Sequence, residues 1–132
     1  IIGPDLNVNG MGLFNWFMKQ KDTVSGYKGA IWTGVTTITL AKAVEEAIKQ
    51  NITGLYHLVN GQSIDKYSLL KLFNDIRSNA ININEDISVH VNKSLLNTRS
   101  DFYFTVESYE VMVKEIKLWI EKHRDLYSHY MV

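Results

Sequence analysis

The stretch Ala30-Ile31-Trp32-Thr33-Gly34-Val35-Thr36-Thr37, read with the two segments that follow it, decides the fold class. Ala30-Ile31-Trp32 is a brief apolar run that stops at Thr33-Gly34, as a strand does where it meets a turn. Threonines at 36, 37 and 39 each offer a hydroxyl that can cap a helix. The spacing predicts that helix from about Ile38 to Lys49, with Leu40, Val44, Ala47 and Ile48 on its inner face. Gly54 supplies its stop, and Leu55 to Val59 reads as a central strand closed by a turn at Asn60-Gly61. Strand, helix and strand in succession describe an α/β unit.

Working outward, Ser63 is placed to cap a further helix, with Asp65 in its first turn at the positive end of the dipole. Ile64, Tyr67, Leu70, Phe73 and Ile76 form its inner stripe. Ile87, Val89 and Val91 alternate with Ser88 and His90, the mark of a strand with one covered face. Residues 92–104 mix Lys93, Arg99 and Asp101 with apolar side chains and suit a binding surface. The last helix should run from about Val106 to Lys122 on Tyr109, Met112, Val113, Ile116, Trp119 and Ile120. Upstream, Asp5 to Gly12 is a polar loop, and Leu13, Phe14, Phe17 and Met18 recur at helical steps between Leu13 and Gln20. Ile1-Ile2-Gly3-Pro4-Asp5 has the look of a strand end continued from something upstream. Residues 1–132 thus read as one α/β unit with helices packed on a short sheet, without internal repeats.

With 45% hydrophobic residues the chain can bury a core, and its 14 basic side chains balance 14 acidic ones. No global field therefore draws it to nucleic acid or to an anionic membrane. Without cysteine it has neither disulfides nor thiolate chemistry, which suits a cytoplasmic setting. Its apolar runs are too short to cross a bilayer, so a soluble protein is expected.

Several chemistries lack their residues. Pyrophosphate recognition by a dinucleotide fold needs a glycine-rich turn between a strand and a helix, and no G-x-G-x-x-G occurs. Gly10 and Gly12 come nearest, but they follow a polar loop and serve backbone freedom. At the spacing of the tyrosine and lysine that move a proton in many sugar-nucleotide reductases, Tyr109 is followed by Val113 in place of the lysine. The four histidines are scattered, and His57 reads as a histidine hydrogen-bonded within the fold. Glu45-Glu46 are adjacent on a helix, point different ways and belong to solvent. Trp32 has two readings, a platform for a nucleobase or a core residue. Arg99 also has two, a bidentate grip on phosphate or an ion pair with Asp101.

Ile2-Gly3-Pro4, Phe14-Asn15-Trp16-Phe17, Trp32-Thr33-Gly34-Val35-Thr36-Thr37 and Gly54-Leu55-Tyr56-His57-Leu58-Val59-Asn60-Gly61 together resemble the later half of the extended short-chain dehydrogenases/reductases. The likeness is strongest to the dTDP-4-dehydrorhamnose reductase and sugar-nucleotide epimerase group, and it covers nearly the whole chain. In that family the segment matching Trp32 to Thr37 reads glutamine-x-glycine-x-proline-threonine and lies near the sugar nucleotide. Here Trp32 stands for the glutamine and Thr36 for the proline, while Gly34 and Thr37 match. Asn97-Thr98-Arg99-Ser100-Asp101 is similar to the arginine loop that approaches the diphosphate.

The resemblance implies the carboxyl-terminal, substrate-side part of an extended Rossmann-type NAD(P)-binding fold, lacking the glycine-rich dinucleotide-binding half. It implies Arg99, Trp32, Thr33, Gly34 and Thr37 as substrate-binding residues for a nucleotide sugar. NADH or NADPH would belong to the complete protein through a missing N-terminal half, and this chain alone would bind no cofactor and be inactive. A homo-oligomer fits the same scaffold. So do two other activities, a sugar-nucleotide epimerase or dehydratase and a non-catalytic binding or regulatory module.

Overall fold

The computed structural model describes all of residues 1–132. In chain order the elements are α1 (Leu13–Met18), β1 (Val24–Trp32), α2 (Thr37–Lys49), β2 (Ile64–Asp65), α3 (Lys66–Ile76), β3 (Ile83–Asn92) and α4 (Tyr109–Lys122). The α/β class expected from the sequence is the one observed. The sheet is mixed, in the order β2-β1-β3, with β1 antiparallel to β2 and parallel to β3. Parallel neighbours need a crossover, and α2, β2 and α3 lie on the connection from β1 to β3.

The helices begin where side chains satisfy their orphan amides. Thr36 caps α2 by accepting from the Thr39 amide at 3.1 Å, and Ser108 caps α4 by accepting from the Val111 amide. The cap of α3 is Asp65 rather than Ser63: its Oδ1 accepts from the Ser68 amide and its Oδ2 from the Ser68 hydroxyl, both at 2.8 Å. A carboxylate with two oxygens satisfies both donors at once, whereas Ser63 lies ahead of β2.

The main core joins Phe14 and Phe17 of α1, Leu70, Phe73 and Ile76 of α3, and Ile116 and Ile120 of α4. Phe14 meets Phe73 edge to face at 5.1 Å and 86°, the arrangement favoured by ring quadrupoles. The end of the chain completes this core, with Tyr127, Tyr130 and Val132 buried and Arg124 donating to the carbonyls of Tyr130 and Val132. One side of α3 thus faces the helices while the other lies across β1. Gly26 permits that approach, since a Cβ there would sit 2.7 Å from Tyr67 Cα.

Four expectations are corrected. β1 starts at Val24, six residues before the expected Ala30, because Gly26 and Gly29 lie inside the strand and do not break it. Leu55 to Val59 forms no strand, because the 96–102 segment beside it meets it through the side chains of Asn97, Arg99 and Phe102 and not through a backbone ladder. On α2 the buried residues are Thr39 and Ala43, while Val44 is 50% and Ile48 72% exposed. On β3 the alternation fails to give one covered face. Between the pairs Tyr27–Asp86 and Gly29–His90, β1 advances two residues and β3 four, and this irregularity turns Ile87 out to solvent.

Candidate functional site

The last residues of β1 form one wall of a cavity of about 310 Å³. Ala30, Ile31 and Trp32 line it together with Ile1 and Ile2, Leu13 of α1, Ile64 and Asp65 of β2, Lys66 and Leu69 of α3, and Val91 and Lys93. Its volume lies at the small end of ligand sites, and its mostly apolar lining with a few polar groups is the usual composition of such sites. Lys93 is fixed beside β1 through its amide, which donates to the Ile31 carbonyl at 2.9 Å. A neighbouring groove of about 550 Å³ shares Leu13 and Lys66 with this cavity and continues to Trp16 and Lys19.

Lys66 is the first residue of α3, and its half-buried ammonium lies 5.1 Å from the ring centroids of both Trp16 and Tyr27. Burial pushes its pKa below the ordinary lysine value, and the positive charge of Lys93 adds to the effect. Neither lysine has a carboxylate within ion-pairing distance. Asp65, the acid in the lining, is committed to Ser68 and to Lys28 at 3.6 Å.

Trp32 alone among the five residues singled out from the sequence lines this cavity. Its indole lies over Gly34, where a Cβ would fall 2.0 Å from the ring, and it also meets Tyr109 with 6.0 Å between centroids. Thr33 is buried, and its hydroxyl accepts from the Leu95 amide at 2.8 Å, tying the 92–101 segment to the end of β1. Thr37 is turned to the other side, packed over Gly3, with its amide donating to the Ile2 carbonyl at 2.8 Å.

Arg99 lies in a separate loop cluster. Its Nε and Nη2 donate to the two Asp101 oxygens, and its Nη1 donates to the Thr53 and Leu55 carbonyls at 2.7 and 2.9 Å. Four of its five N–H donors are therefore committed within the chain. The guanidinium beside Asp101 holds that carboxyl below its usual range. His57 is tied nearby, its Nδ1 3.1 Å from the Leu96 carbonyl oxygen.

Sequence reasoning missed Lys66 as a site residue, and noted Lys93 only as part of an irregular stretch. The available signal was the step from Asp65 to Lys66. A capping acid fixes the helix start, so the next side chain has a defined direction at the end of the short β2 strand.

No family model matches the sequence, and no curated protein matches it. Among solved structures, the chain is similar to a crystal structure of dTDP-4-dehydrorhamnose reductase from Bacillus anthracis in complex with NADP, with a TM-score of 0.70 at 14% sequence identity. The match covers 83% of this chain and 44% of that one, so the chain spans less than half the length of its structural relative. At this identity the likeness is one of fold, consistent with part of a Rossmann-like architecture.

Proposed function

We propose that residues 1–132 are the substrate-side portion of an NAD(P)-dependent oxidoreductase acting on a nucleotide-linked keto-deoxysugar. The observation that carries this reading is the fold shared with a dTDP-4-dehydrorhamnose reductase over 83% of the chain. The cavity beside Trp32 supports it, because an aromatic face with an apolar wall and two cations suits a base and its charged tail.

The cofactor does not fit the residues of this chain. Gly10 and Gly12 precede a helix of only six residues whose N-cap makes no side-chain bond, and no strand leads into them. NADH or NADPH would therefore be held by a nucleotide-binding half outside this sequence, which would also supply the proton donor. On this reading Trp32 supports the base, Thr33 and Gly34 position it, and Thr37 secures the Gly3-Pro4 turn. Arg99, in its separate loop cluster, stiffens the neighbouring 53–55 backbone and does not touch the ligand.

The test is NAD(P)H oxidation by the full-length protein supplied with a dTDP-4-keto-6-deoxysugar. Turnover dependent on both reactants is the expected result. A folded full-length protein that binds neither NADPH nor the sugar nucleotide would overturn the proposal.

A further inference from the structure

We infer that Lys66 and Lys93 form the anion-recognising end of the Trp32 cavity and take the diphosphate of a ligand whose flat or apolar part lies along Trp32 and Ile64. The inference rests on this cavity being the ligand site of the proposed function, and it assigns the anion to residues other than Arg99.

Three observations on the two lysines converge. Both line the same cavity, one from the start of α3 and one from the end of β3. Neither is neutralised, since the chain's ion pairs engage other lysines and Asp65 is turned toward Ser68 and Lys28. Lys66 is also held in place, its ammonium between the rings of Trp16 and Tyr27. Two like charges kept together at a partly dry wall repel each other, and a doubly charged anion between them relieves that repulsion.

Arg99 has the opposite character. With Asp101, Thr53 and Leu55 already on four of its donors, it would have to break existing bonds to present the fork that grips a phosphate. The groove that runs on from Lys66 to Trp16 and Lys19 gives an elongated ligand room on the far side of the cation pair.

The experiment is calorimetric titration of this chain with pyrophosphate, thymidine diphosphate and uncharged thymidine, repeated on Lys66→Gln, Lys93→Gln and Arg99→Ala. Thymidine diphosphate should bind at least about tenfold more tightly than thymidine, and pyrophosphate should compete with it. Each lysine substitution should weaken the diphosphate about tenfold, the value of one charge-assisted contact, and leave thymidine unchanged. Arg99→Ala should hold affinity within about twofold. Lys93 is exposed and its substitution leaves the fold intact, so Lys93→Gln decides the matter if Lys66→Gln melts early. Thymidine binding as well as its diphosphate, unchanged affinity in Lys93→Gln, or loss confined to Arg99→Ala would each overturn the assignment. Diphosphate binding at the lysines without NAD(P)H turnover in the full-length protein would sink the reductase reading and leave this one standing.

Discussion

Replacing Tyr130 by phenylalanine should destabilise the chain by about 2 kcal/mol, although it removes a single oxygen. The Tyr130 hydroxyl donates to Asn15 Oδ1 at 2.8 Å and accepts from the Asp5 amide at 2.9 Å. Asn15 is completely buried and Tyr130 is 2% exposed, so water cannot replace the lost partner of Asn15. Asn15 in turn donates to the Gly10 and Val8 carbonyls at 2.6 and 3.2 Å, which fixes the 5–12 loop. The ring contact of residue 130 with Phe14, 5.4 Å between centroids, survives in phenylalanine, so the substitution isolates the hydroxyl. A buried acceptor left unpaired costs roughly 1–3 kcal/mol, and the half-exposed Asp5 amide adds little because solvent reaches it. An unfolding entropy of about 2.1 cal/mol/K per residue, taken over 132 residues, converts 2 kcal/mol into a fall in Tm of about 7 °C. Thermal melts by circular dichroism would measure it. Combining Tyr130→Phe with Asn15→Ala should cost at least about 1 kcal/mol less than the sum of the two, because the second change removes the orphaned acceptor. A Tm within about 2 °C of the parent, or full additivity, would show that the tyrosine hydroxyl does not organise this end of the molecule.

Gly34→Ala should cost roughly 1–3 kcal/mol and shift tryptophan emission, because the new methyl occupies the place of the Trp32 ring; the penalty should shrink in a Trp32→Leu background. Burial pushes the Tyr109 phenol up to about 12, so it stays neutral in the fold while the unfolded chain ionises near 10. Stability is then intact below about pH 10 and falls as pH rises through 12, by at most about 2 kcal/mol after solvent screening. Tyr109→Phe should flatten part of that fall in melts taken across alkaline pH, and an unaltered slope would place its origin elsewhere. Arg99→Ala should speed proteolytic cleavage within residues 53–57 while leaving the α1, α3 and α4 core protected, and unchanged cleavage would show that the Thr53 and Leu55 contacts hold nothing.

The helices were legible because their stripes are written in contiguous sequence. Tyr109, Met112, Val113, Ile116 and Ile120 are all buried, and only Trp119 lies at the rim of the expected face. β1 was half legible, since Gly26 and Gly29 carry the composition of a turn, while their actual role is to let α3 and β3 come close. That role depends on residues far along the chain. Trp32 stood out as an aromatic at a strand end, whereas Lys66 and Lys93 look individually like ordinary solvated lysines. Their meaning comes from the parallel pairing of β1 with β3, which sets the end of one beside the start of α3. Arg99 was legible as an arginine next to an acid, and the Thr53 and Leu55 carbonyls that occupy it were not.

Two of the corrected expectations have a common cause. Val44 and Ile48 read as the inner face of α2, and Leu55 to Val59 reads as a central strand, yet Leu55 is 80% exposed and the segment shares no backbone ladder. Between them runs a wholly apolar hollow of about 170 Å³, lined by Leu40, Ala43, Val44, Ala47, Ile52, Tyr56, Leu58 and Phe102. Local sequence specifies a buried helix face and a ladder partner there, and none of the seven elements provides either.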